Sequence, residues 1–242
     1  MIKRYISFAF IFLLLSPFCL ISQDPETVLK IEYDWSCSFC ASLGFQSTLY
    51  SNEDGSVFEF KEKTNQVVKD AIVDSSTRFI VYKLKSDSIY EEAFMNSIDP
   101  KGVLIGEKRQ PIDWVLTDSI KLIDNRKCKF ATGSFRGRKY NVWYDPEVET
   151  QTGPWKLHGL PGAIIYAYDS TNQLRFKSIS ISRVPQHIVT DSFKIPNLII
   201  ISRLVYRKRR EEIYDRMENI KPKEGSAVTY EIEVSRNYFE FY

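Results

Sequence analysis

The sequence has few of the residues and motifs on which enzyme and metal centres are commonly built. Its 242 residues include only two histidines and four cysteines. The patterns H-E-x-x-H, G-x-S-x-G, G-x-G-x-x-G and the phosphate-binding P-loop are all missing. Their absence excludes a zincin and disfavours an ordinary α/β-hydrolase. A structural zinc site usually takes four ligands from two pairs, and the chain has one C-x-x-C pair, so we expect no metal and no cofactor.

The chain also has almost no net charge, with 33 Lys and Arg against 31 Asp and Glu. Lys3 and Arg4 lie in an N-terminal segment that we expect to be removed, which leaves 31 residues of each sign and a net charge of zero. Nucleic-acid-binding domains usually show a basic excess, so no nucleic-acid partner is expected. With 43% hydrophobic residues the chain can bury a core, which excludes global disorder.

Long hydrophobic runs are missing beyond the start of the chain. Residues 6–15 are almost wholly apolar and follow two basic residues. A membrane-spanning helix needs about 20 apolar residues, whereas this shorter pattern is typical of a secretory signal peptide. We predict a signal peptide over residues 1–22, cleaved after Ser22, and a single domain over residues 23–242 that is periplasmic or secreted. No transmembrane segment is expected after cleavage.

The sequence is rich in β-strand signals. Residues 163–168 are apolar on both faces and predict a central strand, and a change of phase within residues 173–184 predicts a β-bulge. One helix is predicted from about residue 202 to 218, where apolar residues recur at multiples of four. Apolar and polar residues alternate, as in strands with one buried face, in residues 29–35, 78–84, 112–116, 140–144 and 228–234.

These elements predict a mainly β protein with one helix near the C-terminal end. The architecture that we expect is a single curved antiparallel sheet, either open or a half-barrel, whose apolar face has to be covered. Helices would cover it in a fold like that of periplasmic lipoprotein carriers, a comparison that rests on analogy alone. The concave face is expected to hold a lipid, a peptide or the protein's own core, and to be lined by Tyr33, Trp114, Tyr140, Ile164 and Tyr166.

Residues 153–162 combine rigid turns with an unusual set of side chains. A Gly-Pro pair restricts the chain at one end, and Pro161-Gly162 fits the central positions of a type II turn, which requires a positive φ at Gly162. Trp155 and His158 lie between these corners. A purely architectural loop would pack Trp155 onto the sheet, whereas a binding loop would present both side chains. We expect Trp155 to be half-buried and His158 to be exposed.

Motifs in and before this loop occur in a recognisable order. They read Arg-Lys-Cys at 126–128, Phe-Arg-Gly-Arg at 135–138, Asp-Pro-Glu at 145–147, Gly-Pro-Trp-Lys-Leu at 153–157 and Gly-Leu-Pro-Gly-Ala-Ile at 159–164. The chain thereby resembles the GLPGLI family, envelope proteins widespread in Bacteroidetes, with Ala163 in place of the family's second Leu. The resemblance covers about residues 110–170 closely. It implies an envelope protein, but the family has no established activity to carry over.

Three functional hypotheses follow, and the first is a non-enzymatic protein that binds a partner, such as an outer-membrane transport component, or a hydrophobic ligand. Its candidate binding residues are Trp155, Lys156, His158, Gly159, Leu160, Pro161 and Gly162, together with Arg136 and Arg138. The second is a hydrolase in which His158 works with a Ser, Asp or Cys that folding brings close. The third is thiol redox chemistry at Cys37 and Cys40, whose C-x-x-C spacing also fits a structural disulfide or two free thiols.

Overall fold

A computed structural model of the chain describes residues 26–38, 44–63, 77–93 and 102–219. These residues form one open, mixed sheet of twelve strands with two helices, which confirms the predicted mainly β fold. The strands are β1 (Thr27–Cys37), β2 (Phe45–Asn52), β3 (Gly55–Glu62), β4 (Arg78–Lys83), β5 (Ser88–Glu92), β6 (Val103–Lys108), β7 (Val115–Ile123), β8 (Arg126–Phe135), β9 (Arg138–Asp145), β10 (Ala163–Asp169), β11 (Leu174–Pro185) and β12 (Ile199–Ser202). The helices are α1 (Gln186–Val189) and α2 (Arg203–Glu218).

Two meanders meet at the centre of the sheet. The strand order is β12-β6-β5-β4-β3-β2-β1-β11-β10-β9-β8-β7, so the runs β1 to β6 and β7 to β11 are joined through the pairing of β1 with β11. Each adjacent pair is antiparallel except β12 and β6, which run parallel. The helix α2 follows β12 directly and matches the predicted helix at residues 202–218.

The central strand β1 illustrates how alternation in the sequence specifies a face of the sheet. Every second residue from Leu29 to Trp35 is buried, and the charged residues between them are half-buried. The Trp35 ring stacks on Phe45 at 4.3 Å between ring centroids and meets Phe60 and Phe176 at 5.3 and 5.2 Å. Large aromatic rings at the inner face therefore supply much of the apolar area that the fold buries.

The predicted bulge in the 173–184 segment is present in β11. Glu32 of β1 pairs with Ser180, but its neighbour Tyr33 pairs with Ser178, so Ile179 is the extra residue. Ile179 has no partner on β1 in this ladder, and it is 67% exposed. The bulge thus lets the strand change phase while its other apolar residues stay on one face.

The sheet curls enough that strands distant in its order contact one another. Across the inner face, the Tyr33 hydroxyl on β1 donates a hydrogen bond to the Ile164 carbonyl on β10, at 2.8 Å. Glu107 on β6 forms an ion pair at 2.7 Å with Arg136 in the turn between β8 and β9. The concave side of the sheet therefore encloses the core.

A loop rather than a helix covers the concave face in the described part of the chain. Residues 146–162, between β9 and β10, place Leu157 and Leu160 in the same core cluster as the inner sheet residues. The helix α2 instead packs its buried Tyr206 into a separate cluster with Val103 on β6. The expectation of a helical cover is therefore corrected, because the loop's own apolar side chains fill the concavity.

The predicted lining of the concave face holds for three residues and fails for one. Tyr33, Tyr140 and Ile164 are buried in the core cluster. Tyr166 lies on the opposite face because β10 shifts register between Ile164 and Tyr166, which pair with the neighbouring residues Tyr144 and Trp143 of β9. The remaining residue is Trp114, which is half-buried and packs against the core from just before β7.

Three sequence predictions lie outside the described residues: the signal peptide 1–22, the partner thiol Cys40 and the strand at 228–234. Cys37 is disulfide-bonded and 7% exposed, whereas Cys128 is a free, buried thiol. This favours a structural disulfide at Cys37, and its pairing with Cys40 stays a prediction. Neither of the helices in the described ranges is long and apolar enough to cross a membrane.

Candidate functional site

The loop at residues 146–162 is held in shape by its own backbone hydrogen bonds. Gly153 donates to the Leu157 carbonyl at 2.8 Å, and Leu157 donates to the Pro154 carbonyl at 3.1 Å. Thr152 and His158 form an antiparallel bridge that closes this small hairpin. The loop is therefore a folded unit that enters the concavity as one piece.

Trp155 is the tip of this hairpin and is buried against the sheet. It has a positive φ of 54°, and its ring meets Phe135 edge-on at 5.9 Å. Its side chain is 6% exposed, so the expectation of a half-buried Trp155 understated its burial. The reason is that the hairpin points into the concave face instead of lying over its rim.

The turn at Pro161-Gly162 differs in type from the prediction but imposes the same restriction. Gly162 has a φ of 149°, and Ala163 donates its amide hydrogen to Val148 at 3.0 Å instead of closing a type II turn on Leu160. A Cβ atom at Gly162 would lie 2.7 Å from the Pro146 Cα atom. Glycine is required here because the loop returns so closely against the end of β9.

Lys156 extends from the loop into a buried cluster of charges. Its Nζ atom donates to Glu91 Oε2 at 2.7 Å and to Glu107 Oε1 at 3.0 Å, and its side chain is fully buried. Glu91 lies on β5 and Glu107 on β6, so this ammonium group ties the loop to two strands. Burial of a lysine is tolerated only where carboxylates compensate it, as they do here.

Two arginines complete the cluster. Arg136 donates to Glu107 Oε2 at 2.7 Å, and Arg203, at the start of α2, contacts both Glu91 and Glu107. Burial alone would raise the pKa of Glu91, but the charges of Arg203 and Lys156 outweigh it and lower that pKa to about 2. The pKa of Glu107 is lowered in the same way against its own desolvation. The cluster joins the loop, the β8–β9 turn, β5, β6 and α2.

His158 is buried, which corrects the expectation that it is exposed. It is 5% exposed, and its ring packs between Tyr82 and Phe135 at centroid distances of 6.2 and 5.9 Å. Its Nδ1 atom donates to the Lys156 carbonyl at 2.8 Å, because a carbonyl can only accept. The bridge between Thr152 and His158 draws the imidazole inward with the rest of the hairpin.

The remaining ring nitrogen of His158 is buried and makes no hydrogen bond of ordinary geometry to the described part of the chain. Nε2 is buried with no hydrogen-bond partner among the described residues; the Gln110 carbonyl acts on the ring without a hydrogen bond of ordinary geometry. Burial lowers the pKa of His158, and the Lys156 and Gln110 carbonyls oppose that shift. No Ser, Cys or carboxylate of the described residues hydrogen-bonds either nitrogen, so the geometry for an activated hydrolytic nucleophile is missing there.

Arg138, the second arginine of the Phe-Arg-Gly-Arg turn, lies in a separate ion pair. It donates to Asp169 Oδ2 at 2.8 Å and to Gln173 Oε1 at 3.1 Å, with both charged side chains buried. Asp169 also accepts from the Leu174 backbone amide at 2.9 Å. This pair fixes the β10–β11 hairpin to β9 and is not part of the loop's cluster.

The acidic partners of Lys156 escaped the sequence analysis. Glu91 follows Ile89 by two residues in β5, so an acid occupies a position of the buried face where the alternation expects an apolar residue. This acidic residue at a buried position of β5 is the feature of the sequence from which a buried charge cluster could have been predicted. In the described residues no group of three or more His, Cys, Asp or Glu side chains is placed to hold a metal ion.

An open cleft of about 720 Å³ lies where the loop meets the ends of β1, β2 and β11. Its volume falls in the range of small-molecule binding sites. Hydroxyl groups dominate one wall, where Ser51 lies 3.1 Å from Thr150 and 3.0 Å from Thr152 between oxygen atoms. Of the predicted binding residues only Pro161 and Gly162 line this cleft, with Leu29, Asn52, Glu53, Leu84, Glu149, Gln151 and Arg183 among the others.

Comparisons with known proteins support the fold. No protein-family model matches the chain, and no curated protein matches it. Among solved structures, the chain is similar to two structures of PNGF-II, one in space group C2 and one in P21. Each comparison gives a TM-score of 0.55 and 16% sequence identity. Each match covers 76% of this chain and 32% or 33% of the PNGF-II chain. The chain thus spans about a third of those proteins' length, and at this identity the likeness shows a shared fold.

Proposed function

We propose that the chain is a non-enzymatic envelope protein of the GLPGLI family that binds a ligand or partner in the cleft beside the Pro161-Gly162 turn. The observation that carries this proposal is that the loop fills the concave face, while an open cleft of about 720 Å³ lies at the loop's outer rim. Export and family membership are supported by the N-terminal sequence and by the ordered motifs described above.

The placement of the loop's side chains supports binding over catalysis. The two side chains of the loop that could take part in catalysis, Lys156 and His158, point into the core. Lys156 forms an ion pair with Glu91, and His158 donates a hydrogen bond to the Lys156 carbonyl. What the loop offers outward is its backbone and polar rim at Thr150, Gln151 and Pro161. A hydroxyl- and amide-rich rim suits a polar ligand or a partner's polar surface better than a hydrophobic ligand.

Filling the cleft with a large side chain tests this function. Gln151 is exposed and lines the cleft, so Gln151→Trp should block it without disturbing the core. Ser134→Trp is the matched control, because Ser134 is also exposed but lines a different depression, of about 540 Å³. We expect the wild type and Ser134→Trp to retain a bound species in native mass spectrometry or in pull-downs from envelope fractions, and Gln151→Trp to lose it. Equal retention by all three proteins would contradict the proposal.

A further inference from the structure

The first turn of α2 and the strand that leads into it expose large apolar side chains. Leu204 and Val205 on the helix are 75% and 40% exposed. Ile199 and Ile200 on β12, which continues directly into α2, are 58% and 52% exposed. Single apolar residues at a protein surface are ordinary, whereas a concentration of four within seven consecutive residues is typical of an interaction surface.

The opposite side of α2 is anchored to the sheet. Tyr206 is buried in the small apolar cluster on β6, and the Arg210 guanidinium lies over the Tyr206 ring at 5.7 Å. The Arg203 guanidinium donates to both Glu91 and Glu107. Because this side of the helix is fixed, the apolar side chains of its first turn are held outward.

Exposed basic side chains lie next to these apolar positions. Arg207, Lys208 and Arg209 are all exposed. Residues three and four positions apart are neighbours on the surface of a helix, so Leu204 adjoins Arg207 and Lys208. Val205 adjoins Lys208 and Arg209 in the same way. Each exposed apolar side chain of the first turn is therefore flanked by two positive charges.

These three positive charges are not compensated within the described part of the chain. Arg207 and Lys208 have acids four residues later, at the spacing of helical ion pairs. Of these acids, Glu211 pairs with Arg210 instead, at 3.7 Å. The first turn of α2 also contains no acidic residue, so the positive end of the helix dipole is not neutralised there. Charge complementarity therefore indicates an anionic partner.

We propose that residues 204–209 dock the protein on a membrane surface that carries anionic phospholipids. Leu204 and Val205 enter the boundary between headgroups and acyl chains, and the three basic side chains bind the phosphate groups above them. Long basic side chains suit this arrangement, because their stems lie in the apolar layer while their charges reach the headgroups. A protein partner fits less well, since the centre of a protein interface is depleted of charged residues.

Acidic residues limit the contact to the first two turns of α2. Glu212 follows Lys208 by four residues and so lies on the same side of the helix, about 6 Å further along its axis. Asp215 follows on that side as well, and both acids are exposed. An anionic surface repels these carboxylates, so α2 meets the membrane at a tilt with its start nearest the lipid.

Sedimentation of the exported protein with phospholipid vesicles tests the role of charge. The wild type should bind phosphatidylcholine vesicles with about 30% phosphatidylglycerol at least about tenfold more tightly than phosphatidylcholine alone. About 1 M salt, which screens charges within about 3 Å, should release it. Arg207→Gln, Lys208→Gln and Arg209→Gln together should weaken binding on the order of a hundredfold, because each basic residue near an anionic surface contributes about fivefold.

The matched control removes the same charge from exposed positions of β9 and β11. Lys139→Gln, Arg175→Gln and Lys177→Gln together should weaken binding less than about threefold, since these residues do not meet the membrane.

A second pair of variants tests whether the apolar side chains enter the membrane. Leu204→Gln with Val205→Gln leaves the charge unchanged and should weaken binding at least about tenfold, because two apolar side chains lose their burial in the lipid. Ile179→Gln with Ile188→Gln is the control, since both residues are exposed elsewhere on the molecule, and it should bind like the wild type.

Three results would overturn the inference. The wild type would bind anionic vesicles no better than neutral ones, or either α2 variant would bind as tightly as its control. Alternatively, sedimentation velocity would show a dimer that Leu204→Gln with Val205→Gln dissociates, in place of vesicle binding, which would assign the surface to a second copy. Gln151→Trp should bind vesicles like the wild type, so failure of the membrane surface and failure of the cleft are separate results.

Discussion

Replacing Lys156 by Met tests whether the buried ion cluster fastens the loop to the sheet. Met preserves most of the side-chain volume but removes the charge that lies 2.7 Å from Glu91 and 3.0 Å from Glu107. Breaking a buried ion pair from one side typically costs about 3–5 kcal/mol, because a buried charge loses its compensation. Arg203 and Arg136 remain beside the carboxylates, so we expect a loss near the lower end, about 3 kcal/mol.

Urea unfolding followed by tryptophan fluorescence near neutral pH measures this loss. Lys194→Met is the control, since it makes the same chemical change in an ion pair of 2.6 Å with Asp191 whose side chains are 71% and 89% exposed. Exposed pairs contribute at most about 1 kcal/mol, so the control should unfold almost like the wild type. If Lys156→Met stays within about 1 kcal/mol of the wild type, the cluster does not stabilise the fold and our reasoning is refuted.

The same cluster sets an acid dependence whose sign follows from Glu91. Its pKa is about 2 in the folded protein against 4.5 for an ordinary Glu, so the unfolded chain binds more protons in between. The resulting stabilisation, roughly 3 kcal/mol, is complete above about pH 4.5 and is lost as the pH falls toward 2. The stability difference between the wild type and Glu91→Gln should therefore shrink over this interval, and a constant difference would contradict the assignment.

Three further predictions concern the loop and export. Gly162→Val should lower the free energy of unfolding by about 1–3 kcal/mol or more, through backbone strain and overlap with β9, in thermal melts; an unchanged melting temperature would contradict this. Trp155→Ala should cost roughly 3–5 kcal/mol, as loss of a buried aromatic does, and a cost below about 1 kcal/mol would place Trp155 at the surface. N-terminal sequencing of periplasmic protein should begin at Gln23, and a start at Met1 would refute cleavage.

Alternation of apolar and polar residues was sufficient to predict the sheet. It identified β1, the bulge in β11 and the helix α2, because each depends on local periodicity that one stretch of sequence contains. It misplaced Tyr166, since the bulge in β10 arises from pairing with β9 and leaves no phase change in an all-apolar segment. Register between strands is a property of two segments, and a single segment does not encode it.

The candidate site was located by sequence but its orientation was not. Rigid Gly-Pro and Pro-Gly corners indicated a well-ordered loop at 153–162, which the structure has. Whether such a loop faces solvent or the core depends on what lies opposite, here Glu91 and Glu107, more than forty residues away along the chain. Lys156 and His158 looked like surface chemistry because polar residues usually are exposed, and a distant pair of acids reversed that expectation.

His158 offers the sharpest separation between a catalytic and an architectural loop. His158→Phe keeps the ring between Tyr82 and Phe135, loses one hydrogen bond worth about 1 kcal/mol, and removes a buried nitrogen that has no partner in the described residues. Near pH 7.5 the variant should therefore unfold much like the wild type. Burial lowers the pKa of His158, so below about pH 6.5 the unfolded wild type takes up a proton that the folded form resists. Acidification should then destabilise the wild type relative to His158→Phe. A difference between wild type and His158→Phe that stays constant from about pH 7.5 to 5.5 would mean that His158 titrates freely, and the buried placement of the loop would have to be abandoned.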